Sequence, residues 1–219
     1  MNDARTILRQ YQRGKKAVRG LHDYGDAQKY AEGLGKLLAD ALGSDFDGVD
    51  EAELAGVLRV VMKKAYGDAT TAAANVQQQM TRKQGLRIGT LQPDFEPERA
   101  DKVAEELAGK IVDQGLVDNL MKQHTLGGVD DTIRKNAEAN TEMGLETHIV
   151  REYSDVGLRS GTKWSEDCQW CLERCGEWDN VADAQAAGAF ERHPGCLCKI
   201  DYQVGKTHTT SNGGGWVNV

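Results

Sequence analysis

Apolar residues recur at helical spacing along most of the first 150 positions of this chain. Ile7, Leu8, Tyr11 and Val18 mark a first helix that Asp3 can cap. Tyr30, Ala31, Leu34, Leu37, Leu38 and Ala41 mark a second, with Asp26 as its cap and Gly43 as its end. "DEAE" at Asp50 to Glu53 reads as a capping box before Leu54, Val57, Leu58 and Val61. A further helix is predicted between Gly67 and Gly85. "RIGTLQPDFEPER" then breaks the pattern with two prolines and reads as an extended connector, with Pro97 at the first turn of the next helix. Periodicity returns through Val103, Leu107 and Ile111, then Val117, Leu120 and Met121. Asp130 or Asp131 can cap a last helix running through "TIRKNAEANTEMGLETHIV".

The pattern changes after about Val150. "REYSDVGLRSGTKW" is glycine-containing with β-prone ends, and "KIDYQV" alternates like a strand. The predicted class is therefore mainly α, or α+β: a long helical region over 1–150 and a small Cys/His-rich, β-containing module over 151–204. The residues 205–219 read as a flexible tail ending in the apolar pair Trp216-Val217.

Composition adjusts this picture modestly. Hydrophobic residues make up 39% and aromatics 6%, which is lean for a compact globule and suggests an elongated or partner-supported body. The net charge of −7 argues against a globally basic nucleic-acid binder. Only the first helix is locally basic, through Arg5, Arg9, Arg13, Lys15, Lys16 and Arg19. These six are a candidate weak DNA contact, or simply a solvated helix face. No apolar stretch is long enough to span a bilayer, so no membrane role is expected. The amino terminus shows no signal-peptide core, so synthesis in a reducing cytoplasm is expected, where clustered cysteines more often bind metal than form disulfides.

The chemistry is concentrated at one place. All five cysteines lie in "CQWCLERC", Cys168 to Cys175, and "HPGCLC", His193 to Cys198. A Cys-x-x-Cys turn can set two thiolates on one metal, and Cys-x-Cys can add two more from an extended segment. The His193-Pro194-Gly195 turn can return an imidazole to the same point. Cys168, Cys171, Cys196 and Cys198, with His193 as alternative fourth ligand, are thus candidates for structural Zn2+, and Cys175 is a fifth thiol. Disulfide pairing after release from the cell, or buried unligated thiols, remain alternatives. A thioredoxin-like centre lacks its preceding βαβ unit. A catalytic zinc would need an open position and a base, for which Glu166, Asp167 and Glu173 are the neighbours. Residues 151–219 carry seven Lys/Arg and ten Asp/Glu, which disfavours phosphate contact through this module. No nucleotide or nucleophile motif is present, and His22, His124, His148 and His208 are scattered, so no enzymatic activity is expected.

Four short motifs, "RKNAEANTEMG", "REYSDVGLRSGTKW", "EDCQWC" and "HPGCLCKI", follow one another in the order seen in tailed-phage minor head proteins, the MuF-like head-morphogenesis family, which this half of the chain resembles. Upstream, "VVMKKAYGDATTAAANVQQQMTRKQGLRIGTLQPDF" is similar, more loosely, to helical segments of a related minor capsid group. The resemblance covers roughly 60–200. Cys175 departs from the family pattern, and the chain ends soon after the His-Pro motif, without the effector domain some relatives append. The resemblance implies a low-copy virion protein at the portal or inner capsid, acting in head assembly and genome packaging or delivery. On that reading Cys168, Cys171, Cys196 and Cys198 pin the module's ends together, with Trp164, Trp170, Trp178 and Phe190 packed around them. The alternative is a cellular zinc-ribbon adaptor that binds nucleic acid or protein through its basic first helix.

Overall fold

A computed structural model describes residues 3–15, 20–153, 168–193 and 195–205, together with the backbone of 208–210 and 216–218. Five helices come first: α1 (Ala4–Gly14), α2 (Tyr24–Leu42), α3 (Glu51–Lys83), α4 (Glu98–Leu107) and α5 (Gln114–Glu142). After them come β1 (Glu146–Glu152), the single turn α6 (Gln169–Leu172), β2 (Gly176–Trp178), α7 (Val181–Ala186) and β3 (Lys199–Gly205). The fold is mainly helical, as the periodicity predicts, with a small antiparallel sheet of order β2-β1-β3 in the carboxy-terminal part. Strands β4 (His208–Thr210) and β5 (Trp216–Asn218) pair antiparallel within the stretch read from sequence as a flexible tail.

Local capping explains most helix starts. Asp3 accepts from the Thr6 amide at 2.7 Å, and Asp50 accepts from Ala52 and Glu53 at 2.9 and 3.2 Å. The second helix is capped by Asp23 rather than Asp26; the Asp26 amide, already in the first turn, donates to Asp23 Oδ1 at 2.8 Å. No helix boundary occurs at Gly67. Helix α3 runs through it for 33 residues, and Thr71 Oγ1 donates back to its carbonyl at 2.7 Å. Strong helix formers on both sides outweigh one glycine, which costs about 1 kcal/mol.

The last helix also differs from expectation. Asp113 caps it, and Asp130 and Asp131 lie in its interior, because tertiary packing carries the helix through Gly127-Gly128. A Cβ on Gly128 would stand 3.2 Å from the Tyr66 ring, so α3 and α5 cross closely there. "ETHIV" is not helical but forms the start of β1, after the turn at Gly144 with φ +74. Ile111 is not a core position either. It is 73% exposed and bridges to Asp45, where Phe46 N–H donates to the Lys110 carbonyl and Val112 N–H to that of Ser44.

Helix α2 is the centre of the packing, lying against α1, α3, α5 and β3. Its approach to α5 is limited by Gly35, where a Cβ would meet Lys122 Cα at 2.5 Å. Many buried core positions are alanines, among them Ala27, Ala31, Ala65, Ala69, Ala73 and Ala137. Small side chains let helices pack with little apolar bulk, which accounts for the lean composition. The same continuous core that holds Ile7 and Leu34 also holds Ile149, Ile200, Tyr202 and Val204. The division expected at 150/151 falls inside β1, and the sheet is one wall of the helical core. Gln28 Nε2 donates to the Ile200 carbonyl at 3.2 Å, and Asn140 Nδ2 to Tyr202 Oη at 2.7 Å.

Candidate metal centre

The sheet register sets the site. Ile149 pairs with Tyr202 and Arg151 with Ile200, so Thr147, Ile149 and Arg151 share the face of Ile200, Tyr202 and Val204 that meets the helices. Arg151 ends that row beside the cysteines. Cys168 stands at the N-cap of α6, which is the Cys-x-x-Cys turn, and Cys171 closes it. Cys196 and Cys198 occupy the extended segment just before β3. Between them the His193 carbonyl accepts from the Cys196 amide at 3.0 Å, a tight turn that uses Gly195 at φ +80.

The donors converge on Cys171. Its Sγ is 2.9 Å from His193 Nε2 and 3.7 Å from Cys196 Sγ, and Cys168 Sγ is 3.3 Å from the same imidazole nitrogen. Two triads result, Cys168–Cys171–His193 and Cys171–Cys196–Cys198, each with its ligand atoms within 4.8 Å of one another. Every metal-ligand candidate read from the sequence is therefore brought together, and this cluster can hold a metal ion. Thiolates bound about 2.3 Å from a tetrahedral centre stand about 3.8 Å apart, close to the Cys171–Cys196 separation. None of the five cysteines is in a disulfide. Cys171, Cys196 and Cys198 are buried, forming a small cluster separate from the main core, with Cys168, Cys175, Tyr153 and Trp170 packed on it.

Burial, together with the nearby Cys196, pushes the Cys171 thiol up to about 12. A hydrogen bond with Cys198 and then burial raise Cys196, and burial raises Cys175. Crowded thiols resist ionising without a cation among them, and a bound metal removes that resistance by taking them as thiolates.

The surrounding shell holds residues that sequence reasoning counted only as charges. Arg151 Nη1 donates to the carbonyls of Gly188, Ala189 and Glu191 at 3.1, 2.8 and 2.6 Å. Its Nη2 donates to Cys196 Sγ at 3.5 Å. Arg192 donates to the carbonyls of Cys196 and Cys198 at 3.4 and 3.0 Å, and makes a two-pronged ion pair with Asp130 of α5. Burial works against the Arg192 guanidinium, but Asp130 outweighs it and holds its pKa above the usual range. No sequence signal marks this pair, since Asp130 stands beside Asp131 in a helix that carries several other charges.

The aromatic surround expected from sequence is only partly present. Trp170 packs edge-on to His193, with centroids 5.0 Å apart, and carries the Arg174 guanidinium 3.9 Å over its ring. Trp178 and Phe190 pack on the main core instead, Trp178 from β2 opposite Ile149 and Phe190 from the turn after α7. Trp164, Glu166 and Asp167 lie outside the described residues. So do Val18, Lys16 and Arg19 of the basic segment. In that segment Arg5, Arg9 and Arg13 are exposed on α1, whereas Lys15 is tied to Asp68 at 2.9 Å. Among the described residues no helix is long and apolar enough to cross a membrane.

Compared with known proteins, the chain matches no family model, no curated relative and no solved structure.

Proposed function

We propose that the cysteine cluster holds a structural zinc ion and that the chain is a minor head protein of a tailed phage, acting near the portal or inner capsid in head assembly and genome packaging or delivery. The convergence of five soft or borderline donors around Cys171, with a sulfur–sulfur separation of 3.7 Å, carries the metal half of this reading. Cysteine and histidine donors suit zinc, and burial of Cys171, Cys196 and Cys198 to 2–3% exposure suits a closed structural site rather than an open catalytic one. The role is accordingly structural, not enzymatic. The virion half rests on the order of "RKNAEANTEMG", "REYSDVGLRSGTKW", "EDCQWC" and "HPGCLCKI" alone. Its partners are a portal or major capsid protein, met in the virion after synthesis in the host cytoplasm.

Elemental analysis of protein purified in reducing buffer tests the metal: stoichiometric zinc is expected, and folded protein without it refutes the assignment. Co-expression with the portal and major capsid proteins of a tailed phage tests the role. Co-sedimentation with assembled heads is expected; heads that form normally and exclude the chain refute it.

A further inference from the structure

We propose that Arg151 is the counter-cation of a metal centre carrying one net negative charge, which assigns His193 as a true ligand beside three thiolates. This inference rests on the reading of the cluster as a zinc site. Arg151 is 2% exposed, and among the described residues no carboxylate oxygen comes within ion-pair distance of its guanidinium. Carbonyls from Gly188, Ala189 and Glu191 satisfy its hydrogen bonding at Nη1, but carbonyls do not cancel its charge. Its Nε is buried without a hydrogen-bond partner. A buried cation with no anion is costly. Two cysteine sulfurs lie within its reach, Cys196, 3.5 Å from Nη2, and Cys175, whose thiol burial keeps protonated.

The other nearby cations are already matched. Arg192 is paired with Asp130 and Arg174 with Glu191 at 3.0 Å. Among the described residues, Arg151 and Arg192 share Asp130 as their nearest carboxylate, which leaves one net positive charge facing the centre. Zinc with four thiolates carries two negative charges; zinc with three thiolates and a neutral imidazole carries one. The second set balances Arg151, and it agrees with the placement of His193 Nε2 between two sulfurs, 2.9 Å from Cys171 and 3.3 Å from Cys168. Arg151 then acts as a positioning residue. Its N–H bond to the Cys196 sulfur orients that thiolate and lowers its electron donation to the metal.

Zinc-edge X-ray absorption on the full zinc-loaded chain reads the donor set without any substitution. A shell of three sulfurs near 2.3 Å and one nitrogen near 2.0–2.1 Å is expected; an all-sulfur shell overturns the assignment. Chelator competition on Arg151→Met should show affinity lower by about 10–100-fold, as for other outer-shell partners. Arg151→Lys, which keeps the charge, should recover part of it. In the cobalt-substituted protein the sulfur-to-cobalt charge-transfer band should move to lower energy in Arg151→Met, a change that mere loosening of the loop does not produce. An unmoved band with unchanged affinity in both variants overturns the role of Arg151. Wild-type protein that takes up neither zinc nor cobalt refutes the underlying metal reading, whereas a loaded all-sulfur site refutes this inference alone.

Discussion

The Asp130–Arg192 pair joins the helical core to the cysteine loop, and cutting it should be expensive. Asp130 is 2% exposed, in the middle of α5, and both its oxygens accept from the Arg192 fork. Replacing Asp130 with Ala leaves Arg192 buried, charged and with only the two cysteine carbonyls as partners. Removing one member of such a pair costs about 3–5 kcal/mol, whereas replacing both with apolar groups is often near neutral. Arg192 also serves the carbonyls of Cys196 and Cys198, and losing that service adds about 1–3 kcal/mol to any Arg192 variant. Asp130→Ala is thus expected about 3–5 kcal/mol below wild type, Arg192→Met about 4–8 kcal/mol below, and Asp130→Ala/Arg192→Met only about 1–3 kcal/mol below. The coupling across this cycle should exceed about 2 kcal/mol. Urea unfolding of the zinc-loaded chain, followed by far-ultraviolet circular dichroism, measures all four species. Additive single substitutions, or an Asp130→Ala chain within about 1 kcal/mol of wild type, would refute the reasoning.

Glycine substitutions in α2 should split by position. Gly35→Ala forces α2 from the Lys122 backbone and is expected to cost about 1–3 kcal/mol. Gly33→Ala meets nothing within 4 Å and should stabilise by about 0.5–1 kcal/mol; equal urea midpoints would contradict the packing. Stability should also fall with acid through His124. Burial first and the Arg99 charge second lower its pKa to about 4, against the opposing bond from Nε2 to the Met62 carbonyl at 2.8 Å, and Nδ1 has no hydrogen-bond partner. The unfolded chain takes up that proton below its ordinary pKa near 6.5 and the folded chain does not, so stability is lost as pH falls from about 6.5 towards 4. The loss should approach about 3 kcal/mol, and a His124→Gln chain should lack that part of the pH slope. Chelation of zinc-loaded protein should lower the melting midpoint in a single transition, since β3 belongs to the helical core. A second, separate transition for residues 168–205 would show that the two parts fold independently.

The legible features were those encoded locally. Asp3 and Asp50 announced helix starts through side chains that reach only two or three residues along the chain, and "KIDYQV" announced β3 by simple alternation. The candidate metal ligands were legible because Cys-x-x-Cys and His-x-x-Cys-x-Cys each fix their own turn. What failed depended on distant partners. Gly67 reads as an end although the helix formers on both sides carry α3 through it, and Asp130 reads as a cap until Arg192, 62 residues later, is found beside it. Ile111 fits a helical stripe, but the backbone bonds of Lys110 to Phe46 and Val112 to Ser44 draw it into an edge. Arg151 looked like one more surface charge because nothing nearby in sequence indicates the carbonyls that enclose it.

The bond from Gln28 to Ile200 spans nearly the whole chain, and it sets an order of assembly. Helix α2 is among the first segments made, yet its inner wall is completed by a strand among the last. Until β3 arrives, Tyr24, Ala27 and Ala31 have an open side, and a nascent chain on the ribosome must hold that side unfilled. Cys196 and Cys198 lie directly before β3, and the β1–β3 ladder begins at Glu152 and Lys199. On the proposed zinc reading, a metal captured by these cysteines would present the missing strand at the correct alignment rather than leave it to search by diffusion. On that reading the knot would be a starting clamp for a contact of very long sequence separation, and metal supply would set how readily the helices themselves are closed.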